Sequence, residues 1–256
     1  MKKSIFSTLA VMLFSSLSSA AIISLNITEA GSPSDVDMST SDLAGAPGVR
    51  AGYWNNIASL NGQTLLGADA KYDNGTSVGG AFQADFDADR STHLSGLAVT
   101  NDELMFRGTN QPRDGQTATF TLTNIPFANY EIYVYAGETR VDNGGSISDG
   151  TTTFYQRDDG TGTNPLSDGS GYIEMTTTSL PALVTDVTFG NYAVFENLSG
   201  SSQTITFSAL DMGNSTPDYQ RFNVNGIQIV QVPEASSLLF LLMGGVATLF
   251  LRRRSS

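Results

Sequence analysis

Three carboxylates stand at every second position in Asp85-Phe86-Asp87-Ala88-Asp89. On a strand that period puts all three on one face, where their repulsion favours a bound cation; in a loop they would supply the opening ligands of a calcium turn. Asp85, Asp87 and Asp89 are therefore the candidate calcium ligands. The competing reading is a solvated acidic edge that discourages sheet-to-sheet association. An EF-hand is excluded, because the position that requires glycine is Arg90 and the twelfth, which requires a bidentate glutamate, is Gly96. A second constellation, Tyr53-Trp54-Asn55-Asn56, offers an aromatic face for a sugar ring with two amides beside it for hydroxyls. Its alternative is a core tryptophan followed by turn-forming asparagines.

Catalytic chemistry is narrowed by what the chain lacks. There is no cysteine, which removes disulfides, thiolate metal sites and cysteine nucleophiles together. His93 is the single histidine, so a Ser-His-Asp triad would have to use it, and no helical pattern is present to carry a nucleophile elbow. Sites with two or three histidine ligands are excluded by count. Paired carboxylates remain. A glycosidase needs two of them across a cleft, and of the glutamates Glu131 and Glu174 fall in strand-like patterns that could aim them into one.

The elements that would position these groups are strands. Ala118 to Leu122 alternates apolar residues with threonine and Tyr130 to Tyr135 is rich in aromatic and β-branched residues, and Thr123-Asn124-Ile125-Pro126 reads as a turn making them an antiparallel pair. Similar runs occur at Ile22 to Ile27, Leu104 to Arg107, Thr152 to Gln156, Tyr172 to Thr176, Val187 to Phe189, Tyr192 to Phe195, Thr204 to Phe207 and Phe222 to Val230. Segments 30–43 and 142–171 are poor in apolar residues and read as surface loops. With no long amphipathic helix and no internal repeat, the pattern predicts an all-β body, a two-sheet antiparallel β-sandwich of jelly-roll type.

Both ends carry a different kind of signal. Lys2 and Lys3, an apolar stretch from Ile5 to Leu17 and Ser18-Ser19-Ala20 form a signal helix with a small-residue cleavage site, so residues 1–20 read as a signal peptide and the mature chain starts near Ala21. At the other end Val232-Pro233-Glu234-Ala235-Ser236 precedes an uncharged run from Ala235 to Leu251 and then Arg252, Arg253 and Arg254. Seventeen residues of helix measure about 25 Å, just short of the usual hydrocarbon thickness, so the segment spans a bilayer only marginally. The arginines would hold their end in the cytoplasm as a stop-transfer signal. Between the two lies a body, 21–231, whose eight basic and twenty-four acidic residues give it a net charge of −16. Such a surface repels nucleic acid and anionic lipid.

The order of polar motif, transmembrane helix and arginine tail in 232–256 resembles the PEP-CTERM sorting signal of Gram-negative bacteria, with Ala235 where that signal has its second proline. The resemblance implies a membrane-embedded transpeptidase of the exosortase type as partner, a cut near the motif, passage through the inner membrane and delivery to the cell surface or extracellular matrix. Tyr53-Trp54-Asn55-Asn56, Tyr130 to Tyr135 and Asn225-Gly226-Ile227-Gln228-Ile229-Val230 are similar to the layout of exported bodies of galactose-binding-like jelly-roll type. Two functions fit these features. The first is a surface-sorted, non-catalytic sandwich that binds or organises extracellular polysaccharide; its rival is a secreted carbohydrate-active hydrolase using a carboxylate pair.

Overall fold

The computed structural model describes residues 20–28, 37–58, 63–87, 91–93, 100–113, 115–137, 143–157, 171–212 and 220–233. Its strands are β1 (Ile22–Thr28), β2 (Asn55–Ala58), β3 (Gln63–Leu66), β4 (Gln83–Asp87), β5 (Ser91–His93), β6 (Gly108–Asn110), β7 (Thr117–Thr123), β8 (Asn129–Ala136), β9 (Gly144–Ser148), β10 (Thr153–Arg157), β11 (Tyr192–Ser199), β12 (Ser202–Ala209) and β13 (Val224–Gln231). One helix, α1 (Asn101–Met105), accompanies them. The strands form a two-sheet sandwich. One sheet runs β11-β8-β13-β1-β2, with β6 beside the start of β13 and β5 beside β6; the other runs β10-β9-β12-β7-β4-β3.

Alternation explains the packing between the sheets. In β7, Ala118, Phe120 and Leu122 point inward while the threonines between them do not, and Ile205 and Phe207 of β12 follow the same rule. They meet Ile23, Leu25 and Ile27 of β1, Ile132 and Val134 of β8, and Ile227 and Ile229 of β13 in one continuous core. The rings of Phe86 and Phe120 lie 4.5 Å apart at its centre.

Strand β1 is buried along its whole length, which a sheet with one wet face does not permit. The reason is a second apolar layer on the outer face of the first sheet. Met38, Ala44, Ala46, Val49, Ala51 and Trp54 from the segment before β2 cover Ile22, Tyr135 and Val230, together with Met105 and Phe106 at the end of α1. This covering segment also accounts for one departure from an all-antiparallel sandwich. Strands β1 and β2 pair in parallel, and a parallel pair needs a long crossover, here laid over the sheet face.

Four other expectations are corrected. Strands β7 and β8 are not a pair: β7 lies between β12 and β4 in one sheet, and β8 between β13 and β11 in the other. The linker between them buries Ile125 and Phe127 in the core, so it crosses from sheet to sheet instead of turning back within one. Leu104 to Arg107 is the end of α1 and its exit, because Thr100 and Glu103 form a capping box that starts a helical turn. Segment 142–171 contains the β9–β10 hairpin. Its glycines serve close packing, since a Cβ on Gly145 would sit 2.2 Å from the Ser208 carbonyl oxygen. Tyr172 to Thr176 and Val187 to Phe189 make single bridges, Glu174 with Tyr192 and Phe189 with Arg157, in place of strands.

The signal segment, the apolar run from Leu238 to Leu251, Arg252 to Arg254 and the motif residues Glu234, Ala235 and Ser236 lie outside the described residues. Among the described residues no helix is long and apolar enough to cross a membrane.

Candidate functional site

The sorting motif starts where the first sheet stops. Gln231 still donates its backbone N–H to the carbonyl of Ala21 at 2.9 Å, and Val232 donates to the carbonyl of Asn129 at 3.0 Å. Pro233 has no N–H to continue the ladder, and both Val232 and Pro233 are exposed. Because β1 and β13 are antiparallel neighbours, with Ile22 opposite Val230, the chain enters and leaves the body at one end of the sandwich.

A tyrosine and carboxylate surface occupies the outer face of the same sheet, beside the covering segment. Glu131, Tyr133 and Tyr135 alternate on β8 with the inward Tyr130, Ile132 and Val134, so the three share the outer face. Tyr192 of β11 lies diagonally across from Tyr133, and their rings stack at 6.3 Å and 15°. The Tyr133 hydroxyl donates to Glu131 Oε2 at 3.1 Å, and the Tyr192 hydroxyl to Glu174 Oε2 at 3.5 Å. Burial, then the charge of Glu131 and the hydrogen bond to it, hold the Tyr133 phenol well above its ordinary range. At neutral pH it is a neutral donor.

Behind this pair the cluster is closed by hydrogen bonds to the covering segment. Tyr135 donates to Gln228 Oε1 at 2.5 Å and accepts from the Ala46 N–H at 2.9 Å. Gln228 in turn donates to Ser24 Oγ and to the Val49 carbonyl, each at 3.0 Å. Tyr172 donates to Asp102 Oδ1 at 2.6 Å and accepts from the Gly45 N–H at 3.1 Å, while Arg50 pairs with Asp102 Oδ2 at 2.6 Å. Burial raises both Tyr135 and Tyr172, the latter also through its hydrogen bond to Asp102. The outer rim, Tyr133 and Tyr192 with Glu131 and Glu174, is thus held on a rigid base. Sequence reading had named the two glutamates but not the tyrosines. The signal for Tyr133 was present in the alternation of Tyr130 to Tyr135.

The other expected site residues fall elsewhere. Trp54 is 4% exposed and donates its indole N–H to the Ala51 carbonyl, so in this structure it anchors the covering segment and turns no face to a ligand. Asn55 donates to the carbonyls of Ser24 and Lys71 and accepts from the Lys71 N–H; Asn56 bridges Asn26 and the backbone of Met38. Their amides tie β2 to its neighbours. Tyr53 is exposed, and its ring lies over Gly75, where a Cβ would come within 2.7 Å of it. Asp85 and Asp87 do share the outer face of β4, with Asp85 accepting from the Thr64 hydroxyl. Asp89 lies outside the described residues, and among those described no three acidic or histidine side chains group as metal ligands. His93 is in β5, opposite Gly108. Gly75-Thr76-Ser77-Val78-Gly79 has the spacing of a nucleophile elbow, a match the reading of the chain overlooked. Ser77 makes a single antiparallel bridge with Lys71 and donates to the carbonyls of Gly67 and Ala68, with no strand-to-helix turn to expose it.

Residues 231–254 match the model of the PEP-CTERM protein-sorting motif. No curated protein matches the chain. Among solved structures it is similar to a plant receptor-like kinase, FER, at 15% identity and a TM-score of 0.39, and to the complex of the plant peptide RALF23 with FER and LLG2 at 13% and 0.38. Both alignments cover 83% of this chain, which spans about 40% of the length of the chains it matches.

Proposed function

We propose that this chain, which carries a PEP-CTERM sorting motif at 231–254, is an exported, surface-sorted and non-catalytic sandwich that binds extracellular polysaccharide. One observation carries the binding part: Tyr133 and Tyr192 stack at the sheet surface with both hydroxyls on carboxylates, Glu131 and Glu174. Aromatic carbon offers contact to the apolar faces of a sugar ring, and carboxylate oxygens accept from its hydroxyls. The sorting part follows from the motif, with the exosortase-type transpeptidase as processing partner and the membrane as a station on the way. The strongly acidic composition restricts the ligand to neutral or cationic polymers, since an anionic one would be repelled.

The hydrolase reading would use the same two glutamates, which the fold brings to one tyrosine pair. A screen of neutral oligosaccharides separates the two. Tyr133→Ala and Tyr192→Ala should each weaken binding about tenfold, the worth of one ring contact. Parent protein should leave the oligosaccharides intact. Release of reducing ends that stops in Glu131→Gln or Glu174→Gln would replace the binder by the enzyme, and equal binding by parent and tyrosine variants would remove the site.

A further inference from the structure

At the tyrosine rim on the outer face of the first sheet, hydrogen-bond donors and acceptors are unevenly shared. The Tyr133 hydroxyl commits its one proton to Glu131 Oε2, and the Tyr192 hydroxyl commits its own to Glu174 Oε2. What remains for a ligand is acceptor capacity, because a carboxylate has about four lone-pair positions and each tyrosine takes up one. The rim is also negative. Burial first, and then the charges of Glu131 and Glu174 among the causes, raise the Tyr133 phenol, so both carboxylates are felt at this one ring. Burial and the charge of Glu174 raise Tyr192 in the same way. The charged residues of β8 and β11, Glu131 and Glu196, are both acidic. Arg50 is bonded into the cluster behind, where Asp102 meets its charge at 2.6 Å.

We infer that the rim selects sugars bearing a free ammonium group, so that its preferred ligand is an amino-sugar polymer with unacetylated amines. The inference rests on the polysaccharide reading above and ranks the two classes which that reading admits, the cationic above the neutral. Three features select the group. An ammonium has three donors and no acceptor, the complement of a rim whose phenolic protons are already engaged; a sugar hydroxyl brings an oxygen that those protons do not reach. The positive charge makes each contact with Glu131 or Glu174 a charge-assisted hydrogen bond, about twice as strong as a neutral one. The rings of Tyr133 and Tyr192, 6.3 Å apart and 15° from parallel, add apolar contact for the sugar and attraction for the cation. A pyranose lying on aromatic carbon directs its equatorial substituents outward in its own plane, toward groups beside the aromatic ring. Glu131 and Glu174 are such groups, each held at the hydroxyl end of a tyrosine.

The test is titration of the full chain, in mild detergent, with glucosamine oligomers, N-acetylglucosamine oligomers and glucose oligomers of the same length and linkage. The parent should bind the glucosamine series about tenfold more tightly than either neutral series. Glu131→Gln and Glu174→Gln keep the side-chain shape and remove the charge. Each should weaken glucosamine binding about three- to tenfold and leave the neutral series within about twofold. Any polycation is drawn to an acidic body, so Asp69→Asn, which removes one exposed charge from the turn after β3 in the other sheet, serves as the control and should change nothing. Equal binding of the three series by the parent overturns the ammonium selection and leaves the polysaccharide reading standing. An Asp69→Asn loss as large as that of the glutamate variants also overturns it, because the attraction is then diffuse. Oligolysine bound as tightly, and weakened by the same two variants, overturns the sugar assignment. A parent that binds none of the three series removes the polysaccharide reading and this inference with it.

Discussion

Tyr135→Phe is the change that most sharply probes how the covering segment is held on the first sheet. The hydroxyl is buried, donates to Gln228 Oε1 at 2.5 Å and accepts from the Ala46 N–H at 2.9 Å. Deleting it leaves an amide oxygen and a backbone N–H without partners in the interior, and each such group costs about 1 to 3 kcal/mol. A loss of about 2 to 6 kcal/mol at neutral pH follows. The same hydroxyl titrates above its ordinary value because of burial. Its folded pKa exceeds its unfolded one, near 10, so its stabilisation is complete below about pH 10 and falls as pH rises from there toward the folded value. The parent should lose about 1.4 kcal/mol per pH unit on this account above pH 10, and the phenylalanine variant should not. Urea unfolding of both proteins at pH 7.5 and at steps from pH 10 to 11.5 measures both effects. A loss under about 0.5 kcal/mol at pH 7.5, together with parallel alkaline slopes, would refute the claim that Tyr135 and Gln228 pin the segment.

Other changes have equally definite outcomes. Asn110, fully buried and paired in register with Val224, has both side-chain polar atoms without a partner among the described residues, so Asn110→Leu should stabilise the protein by about 1 kcal/mol in a urea titration. Gly145→Ala drives a methyl against the Ser208 carbonyl and the Phe222 ring and should cost about 3 kcal/mol or prevent folding, seen as loss of the cooperative transition. Replacing Pro233 and Glu234 by alanine should leave export intact and trap the protein in the membrane fraction, because the apolar run and arginine tail are untouched.

The fold was legible where a strand has one face in the core and one in water. β7 and β12 read correctly from alternation, and β1 and β13 from their apolar runs. Pairing was not legible, because alternation tells which face is buried and not which strand lies alongside; Ile125 and Phe127 in the β7–β8 linker were the overlooked sign of a crossing. Strand β9 was hidden by its two leading glycines, whose composition suggests a loop although they serve close approach to β10 and β12. The site was half legible. Glu131 and Glu174 stood out as scarce residues, but Tyr172, Asp102 and Gly45 meet only through contacts 57 to 127 positions apart in the chain, which no local pattern encodes. Trp54 attracted the ligand reading by its type, and its burial between the covering segment, to which it belongs, and the sheet depends on the parallel β1–β2 crossover.

The central claim is that the body is delivered to the surface by its C-terminal motif and stays folded there as a binding domain. Mass spectrometry of the chain's C-terminus in surface material tests it most directly. The account predicts a surface form ending close to the 232–236 motif, without Arg252 to Arg254, that still binds neutral polysaccharide. A surface form that retains Arg254 would contradict it.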